Sequence, residues 1–212
     1  MKIGILGGGQ LGRMFIQNAL NYDDEFCVLD PQKDCSCAHI SHFTLGSFNN
    51  YDDVLAFGQD KDVISIEIEH VNVDALFELE KQGKKVIPSA EIIKTIQQKI
   101  LQKEFYKNNN IPSPDFEIFD GTSDEIKIEF PFVQKLNTGG YDGKGVQIIK
   151  NAEDLKNLWT EDSVLENLVD IEKELSIIIT KNENGETKTF PVTEMVADEK
   201  LNLLDFNICP AD

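Results

Sequence analysis

The chain has 212 residues, 41% of them hydrophobic, which is enough for one or two domains with apolar cores. Its formal net charge of −18 argues against a surface for nucleic acid or an anionic membrane, because both need a positive field. No apolar run approaches the ~20 residues of a membrane helix, and Met1 leads directly into a strand rather than a signal peptide, so we expect a cytoplasmic protein.

The first glycine motif follows an apolar strand at residues 2–6. Its spacing, Gly7-x-Gly9-x-x-Gly12 at the start of an amphipathic helix, is that of a dinucleotide-binding fingerprint. Asp30 ends the next strand, roughly where such folds place a ribose-binding acid. Any βαβ unit that brings a helix N-terminus to a phosphate uses the same glycines. The motif therefore predicts geometry, and an NAD-dependent dehydrogenase stays open as an alternative.

A short cluster follows, with Cys35, Cys37, His39 and His42 spaced C-x-C-x-H-x-x-H. The cluster could be drawn as a zinc site, but structural zinc sites usually pair two separated couples of ligands. We therefore favour a loop with small, partly buried residues. No disulfide framework is expected in a reducing compartment.

Two acids mark the end of the next predicted strand, residues 62–70. Alternation places isoleucines on one face and projects Glu67 and Glu69 together from the other, near the carboxyl end of the strand. In open α/β sheets that end borders the ligand crevice, so the two acids could hold ribose hydroxyls or an amine. A solvated strand end is the alternative. A helix at 72–83 and a strand at 85–87 complete an alternating α/β pattern.

The second half of the chain reads as α+β, beginning with a lysine-rich helix at 95–109. Between two strand-like runs, residues 138–145 hold four glycines and Lys144, and Lys135 precedes them. Such a loop is suited to cover phosphate, although a plain β-hairpin turn is the alternative. The remaining predicted elements are a capped helix at 151–158, a short strand at 164–166, an antiparallel pair at 175–180 and 187–197, and a last strand at 203–209.

Three motifs carry a family resemblance: GGGQLGRM at 7–14, TGGYDGKG at 138–145 and LENLVDIEKELS at 165–176. Together they resemble the 5-(carboxyamino)imidazole ribonucleotide synthases, ATP-grasp ligases of purine biosynthesis, over the whole chain. The resemblance implies activation of bicarbonate by ATP as carboxyphosphate, followed by carboxylation of the exocyclic amine of 5-aminoimidazole ribonucleotide, with release of ADP and phosphate. It also implies a Rossmann-like, parallel-sheet pre-ATP-grasp domain at 1–96, an ATP-grasp small subdomain at 97–167, and the hinge and first strands of an incomplete large subdomain at 168–212.

Three sets of site residues are carried over by the resemblance. The ATP-binding set is Lys99, Lys135, Gly140, Gly143, Gly145, Val146, Glu166, Asn167, Leu168, Val169 and Glu174. The substrate-binding set is Gly8, Gly9, Gln10, Leu11, Glu67 and Glu69. The catalytic set, which would close over the substrate, is Tyr141, Asp142 and Lys144. In the first set the two lysines flank the phosphates, the backbone of 166–169 reads the adenine edge, and Glu174 takes the ribose hydroxyls.

The resemblance implies Mg²⁺ together with ATP, and it places the metal ligands C-terminal to Asp212, so no residue of this chain is predicted to bind metal. We therefore expect a fragment with little or no turnover of its own, from a full-length protein that is a homodimer. Ala197 stands where some relatives carry a histidine near the nucleotide. Two further alternatives stay open: another ATP-grasp ligase of the glycinamide ribonucleotide or biotin carboxylase type, and a non-catalytic nucleotide-binding module.

Overall fold

The computed structural model describes residues 1–122, 126–140, 144–198 and 203–211. Strands and helices alternate through the first half of the chain. In chain order these elements are β1 (Lys2–Leu6), α1 (Gln10–Ala19), β2 (Glu25–Asp30), β3 (His42–Leu45), α2 (Tyr51–Gly58), β4 (Val63–Ile66), α3 (Val73–Lys81), β5 (Lys85–Ile87) and α4 (Ala90–Gln97). None of the helices in the described ranges is long and apolar enough to cross a membrane.

The first five strands form one parallel sheet in the order β3-β2-β1-β4-β5. The chain moves outward from β1 to β3 and then returns to place β4 against the other side of β1. In sheets of this kind the ligand crevice lies at the carboxyl ends of the strands where the order reverses, here β1 and β4. The predicted Rossmann-like sheet is confirmed, with β3 and α2 as elements that the sequence pattern did not predict.

Alternate residues of β1 pack against opposite faces of this sheet. Leu6 belongs to a buried cluster with Ile64 and Leu76. Ile5 belongs to a second cluster with Ile16 of α1 and Val28. Full burial of one such side chain stabilises the fold by ~1.5–3 kcal/mol, so both helical layers hold the sheet in place. The ends of β1 and β4 are thereby fixed relative to each other.

The second half of the chain is a helix followed by antiparallel strands. Its elements are α5 (Lys99–Asn108), β6 (Phe116–Phe119), β7 (Phe132–Leu136), β8 (Val146–Ile149), a 3-10 helix (Ala152–Asn157), β9 (Ser163–Asn167), β10 (Glu174–Ser176), β11 (Ile179–Lys181), β12 (Thr187–Thr189), β13 (Thr193–Asp198) and β14 (Leu203–Ile208). They form a four-stranded sheet in the order β6-β9-β7-β8, a three-stranded sheet in the order β10-β13-β14, and the ribbon β11-β12.

Four sequence predictions of local structure need correction. The helix predicted at 95–109 is two helices, because Gln98 has an extended backbone (φ −121°, ψ 112°) between α4 and α5. The segment at 151–158 contains a 3-10 helix. The predicted pair at 175–180 and 187–197 is interrupted after Ser176 and before Thr193, which separates the β11-β12 ribbon from the β10-β13 pairing. The strand predicted at 62–70 ends at Ile66.

One face of the four-stranded sheet is closed by an apolar cluster; the other, called the open face here, is covered by α5 near Glu166 and is accessible at its β8 edge. The closed face packs a buried cluster that contains Phe132 and Leu165. The opposite face carries Lys135 and Glu166, because these residues alternate with the buried ones along β7 and β9. At its β8 edge this second face exposes apolar side chains, with Val146 40% and Ile148 49% accessible. An exposed apolar strip beside charged groups is a surface suited to a ligand with a planar ring and an anionic end.

Candidate active site

The first glycine loop lies at the carboxyl end of β1, where the strand order reverses. Gly7 has φ +99°, a left-handed conformation that favours glycine, and its N–H donates to Leu29 O at 3.0 Å. Gly9 is the N-cap residue of α1 and has no side chain to cap the helix. The predicted substrate residues Gly8, Gly9, Gln10 and Leu11 are therefore the loop and the first exposed residues of α1.

Asp30 anchors this loop. Its Oδ2 accepts a 2.8 Å hydrogen bond from Gly8 N–H, and its Oδ1 accepts one of 2.8 Å from Gln32 N–H. The residue is only 8% exposed. Both carboxylate oxygens hold backbone N–H groups, so Asp30 has a structural role in fixing the loop.

Glu67 is the acid that faces the glycine loop. Its Oε1 lies 2.4 Å from the point where a Cβ on Gly9 would be, and its Oε2 lies 2.9 Å from the same point on Gly7. It lines a cavity of about 310 Å³ together with the three loop glycines, Asp30 and Cys35. A carboxylate at this position is suited to an amine or to hydroxyl groups.

The prediction that Glu67 and Glu69 project together is wrong. β4 ends at Ile66, so the strand alternation does not extend to Glu69. The Glu69 carboxylate lies 3.7 Å from His70 Nε2, and its carbonyl oxygen accepts from Gln97 Nε2 at 2.6 Å. Of the two acids, the structure brings only Glu67 to the loop.

The cysteines of the candidate zinc cluster pack on the glycine loop. Cys37 is buried, its N–H donates to Gly8 O at 3.1 Å, and its Sγ lies 3.6 Å from Gly9 O. Burial is the main cause that raises the pKa of the Cys37 thiol to about 11. Among the described residues no group of three or more His, Cys, Asp or Glu side chains is arranged to hold a metal ion. The segment that contains Cys37 thus supports the first glycine loop.

The second glycine loop joins β7 and β8 as a hairpin. Gly139 and Gly145 have φ of +75° and +72°, and a Cβ on Gly145 would lie 3.1 Å from Gly140 Cα. Close approach of the two arms therefore requires glycine on both sides. Lys144 is exposed at the end of the loop. The predicted site residues Tyr141, Asp142 and Gly143 lie outside the described residues.

The beginning of α5 lies beside this loop. Lys99 Cε is 3.8 Å from the Cβ position of Gly140, and Lys99 N–H donates to Asn137 O at 2.9 Å. Asn137 Oδ1 also accepts from Ile100 N–H at 3.0 Å, so the end of β7 caps the helix. The positive end of the helix dipole and the Lys99 ammonium group therefore adjoin the glycine loop, as expected of a phosphate site.

Lys135 and Glu166 form an ion pair on the open face of the four-stranded sheet, and Lys103 of α5 completes it. Lys103 Nζ lies 2.7 Å from Glu166 Oε2, and Lys135 Nζ contacts Glu166 Oε1. Burial acts to raise the pKa of Glu166, but hydrogen bonds and charge from both lysines outweigh it and leave that pKa below its ordinary value. The side chain of Glu166 is therefore a carboxylate held between two ammonium groups.

Lys103 belongs to the candidate site, but the sequence analysis did not single it out from the lysine-rich helix predicted at 95–109. Its side chain is 8% exposed. It lies four residues after Lys99, hence on the same face of α5, and this spacing was the available signal.

The hinge residues predicted to read adenine follow β9 directly. Asn167, Leu168 and Val169 are exposed, and Asn167 N–H donates to Asp115 O at 3.0 Å. Glu174 is exposed at the start of β10, opposite Met195 of β13. The backbone groups after Asn167 and the Glu174 carboxylate are thus accessible to a ligand.

A Rossmann-like sheet with an acid-lined glycine crevice is followed along the chain by an antiparallel sheet with lysines and a glycine hairpin. The ribonucleotide synthetase preATP-grasp domain matches residues 1–97, and the ATP-grasp domain matches residues 104–212. The chain therefore belongs to the ATP-grasp family.

Two of the similar curated proteins are named for reactions of an aminoimidazole ribonucleotide. The N5-carboxyaminoimidazole ribonucleotide synthase of Staphylococcus aureus strain COL is 36% identical over 205 residues, which cover 91% of this chain and 54% of that protein. The phosphoribosylaminoimidazole carboxylase of Candida glabrata is 35% identical over 209 residues, covering 92% of this chain and 36% of that protein. The chain spans about half or less of the length of the curated relatives it matches.

Solved structures share the fold over nearly the whole chain. The N5-carboxyaminoimidazole synthetase of S. aureus complexed with ADP superposes with a TM-score of 0.89 at 31% identity, covering 99% of this chain and 58% of that one. The synthase of Aspergillus clavatus in complex with ADP and 5-aminoimidazole ribonucleotide superposes with a TM-score of 0.80 at 29% identity, covering 93% and 54%. Both ligands of that complex are thus bound by a protein of this fold.

Proposed function

We propose that this chain carries the nucleotide site and the ribonucleotide site of an N5-carboxyaminoimidazole ribonucleotide synthase. In this reaction ATP phosphorylates bicarbonate to carboxyphosphate and leaves as ADP. The exocyclic amine of 5-aminoimidazole ribonucleotide then takes the carboxyl group, and inorganic phosphate leaves. The proposal rests on two features that occur together in this chain: a glycine crevice that faces Glu67, and a sheet face with lysines. The chain also shares its fold with a structure that holds ADP and 5-aminoimidazole ribonucleotide.

The open face of the four-stranded sheet is the proposed ATP site. Lys99, Lys135 and the hairpin of residues 140–146 would contact the phosphates, since they bring positive charge and backbone N–H groups to one place. The exposed side chains of Val146 and Ile148 offer an apolar strip for the adenine ring. Backbone groups of residues 166–169 would read the adenine edge, and Glu174 would accept hydrogen bonds from the ribose hydroxyls.

The crevice at β1 and β4 is the proposed site of 5-aminoimidazole ribonucleotide. Gly8 and Gly9 permit close approach, Gln10 and Leu11 border the opening, and Glu67 would accept a hydrogen bond from the amine or a hydroxyl group. Tyr141, Asp142 and Lys144 of the hairpin are proposed to close over both ligands. Exclusion of water by such a loop would protect carboxyphosphate from hydrolysis.

Mg²⁺ would accompany the polyphosphate and neutralise its developing charge. We assign none of its ligands, because no described group of acids in this chain is arranged for a metal ion. A homodimeric state stays a prediction of the family resemblance, and a cytoplasmic location stays a prediction of the sequence analysis.

Thermal unfolding with three separate ligands tests the proposal: a non-hydrolysable ATP analogue with magnesium, 5-aminoimidazole ribonucleotide, and NADH. A ligand at a hundred times its Kd stabilises the native state by ~2.7 kcal/mol, which raises Tm by about 5–10 °C for a chain of this size. We expect shifts with the first two ligands and none with NADH. Lys135→Met should abolish the shift with the ATP analogue, whereas Lys150→Met, at an exposed position after β8, should leave it unchanged.

A shift with NADH alone would replace the proposal with the dehydrogenase alternative. A shift with the ATP analogue but none with 5-aminoimidazole ribonucleotide would favour a non-catalytic nucleotide-binding module or another ATP-grasp ligase. In that case, competition with glycinamide ribonucleotide or biotin distinguishes the ligases.

A further inference from the structure

Glu166 is held by two lysines, Lys103 and Lys135, which differ in how far they are buried. Lys103 is 8% exposed, and its ammonium group contacts three acceptors: Glu166 Oε2 at 2.7 Å, Ser113 Oγ at 2.6 Å and Pro114 O at 3.3 Å. An ammonium group has three donors, so Lys103 has none left for a ligand. Its Nζ also lies 5.4 Å from the Phe116 ring centroid. Lys103 is therefore a fixed, buried charge.

Lys135 differs from Lys103 in its exposure and in how many donors of its ammonium group are engaged among the described residues. Its side chain is 34% exposed, and within the described part of the chain its ion-pair partner is the other oxygen of Glu166. As far as the described residues go, two of its three donors stay available for phosphate oxygens. Glu166 itself is 8% exposed and cannot reach a ligand on the open face without leaving both lysines.

We propose that Lys103 is a positioning residue that determines how much of the Lys135 charge is available to a polyphosphate. The inference rests on the proposed nucleotide site. Two lysines and one carboxylate leave one net positive charge at the sheet face. Lys103 offsets Glu166, and by holding Oε2 it orients Oε1 towards Lys135. Lys135 is thus located by the carboxylate without being neutralised by it.

Removal of Lys103 alone would change this balance. The negative charge of Glu166 would then offset the positive charge of Lys135, in a chain whose formal net charge is already −18. A buried carboxylate with one partner also holds that partner more strongly, because the interior screens charges poorly. Lys135 would be held against the sheet, away from the phosphates. Removal of Lys103 and of the Glu166 charge together would restore one positive charge on Lys135.

The test measures the affinity of the full chain for a non-hydrolysable ATP analogue and for adenosine, by calorimetry in the same buffer. The dissociation constant for adenosine divided by that for the ATP analogue is the ratio that reports the contribution of the phosphates. We expect Lys103→Met to lower this ratio at least tenfold while adenosine affinity stays within about twofold. The double variant Lys103→Met with Glu166→Gln should recover most of the ratio, and Lys103→Arg should retain it.

A purely structural role for Lys103 would give another pattern. Equal loss of affinity for both ligands, an unchanged ratio in folded Lys103→Met, or a double variant that fails to recover would each overturn the inference. If Lys103→Met does not fold, Glu166→Gln decides: it adds a net positive charge, so the ratio should rise, and an unchanged ratio overturns the inference. Wild-type chain that binds neither ligand would instead refute the proposed nucleotide site, and the inference with it.

Discussion

The contact between Gly9 and Glu67 can be tested by the addition of one methyl group. Gly9 has φ −73° and ψ −166°, an extended backbone that alanine also adopts, so Gly9→Ala introduces no backbone strain. The new Cβ would lie 2.4 Å from Glu67 Oε1, whereas ordinary van der Waals contact begins at 3.4 Å. The carboxylate must therefore retreat by about 1 Å from its present place beside the loop.

This displacement should affect ligand binding more than folding. The carboxylate is the end of a flexible side chain, so we expect the free energy of unfolding to change by less than ~1 kcal/mol. A hydrogen bond to a charged group contributes ~1.5–3 kcal/mol, and its loss corresponds to about 10- to 100-fold weaker binding of 5-aminoimidazole ribonucleotide.

Calorimetric titration with 5-aminoimidazole ribonucleotide and urea unfolding measure the two effects separately. Gly83→Ala is the matched control, because Gly83 has φ +84° and no atom within 4 Å of its Cβ position. That control should cost ~1–2 kcal/mol of stability through the left-handed backbone and leave affinity unchanged. Wild-type affinity in folded Gly9→Ala would refute the role given to Glu67.

Three further predictions concern stability and reactivity. The pKa of Glu166 is lower in the folded protein than its ordinary value. The ionised side chain therefore adds to the free energy of unfolding above the ordinary carboxyl pKa, and this contribution is lost as the pH falls through the lower, folded-state pKa. Glu166→Gln should flatten the acid side of the curve of unfolding free energy against pH, measured by urea unfolding. Gly121→Ala should prevent stable folding, as judged by circular dichroism, because its Cβ would lie 1.8 Å from Thr160 O. Iodoacetamide at neutral pH should modify exposed Cys209 in the native chain and leave buried Cys37 unmodified, as mass spectrometry of peptides will show.

Local patterns predicted the elements that depend on neighbouring residues. The β1-α1-β2 unit follows from an apolar run, glycines and a helical repeat, and each of these signals lies within a few residues. The hairpin of the second glycine loop follows for the same reason, since its arms pair from Phe132 with Ile149 to Lys135 with Val146. Glu67 could be singled out, together with Glu69, because both acids lie near the end of a predicted strand, but the sequence could not decide between them.

Contacts between distant residues decided what the sequence could not predict. The helix predicted at 95–109 divides at Gln98. The first turn of α5 is held there by Asn137, which accepts a hydrogen bond from Ile100 N–H although the two residues are 37 positions apart in the sequence. The pairing of Lys103 with Glu166 joins a helix to a strand and leaves no local pattern. Asp30 looked like a ligand-binding acid, but the loop it holds is formed only when β1 and β2 are paired.

The two proposed sites differ in the sign of their charge, and this difference supports the proposed assignment of the ligands. Glu67, Asp30 and Asp34 line the first crevice and offset the positive end of α1, so a dinucleotide pyrophosphate would meet carboxylates there. The second site brings Lys99 and Lys135 to the start of α5, with no comparable excess of acid around the hairpin in the described residues. This charge difference favours the triphosphate of ATP at the antiparallel sheet, and at the parallel sheet it favours the amine or hydroxyl end of 5-aminoimidazole ribonucleotide over its phosphate. In the proposed assignment, the same Gly-x-Gly-x-x-Gly spacing that suggests a dehydrogenase serves a different ligand, because the charge beside the loop determines which groups can approach the glycines.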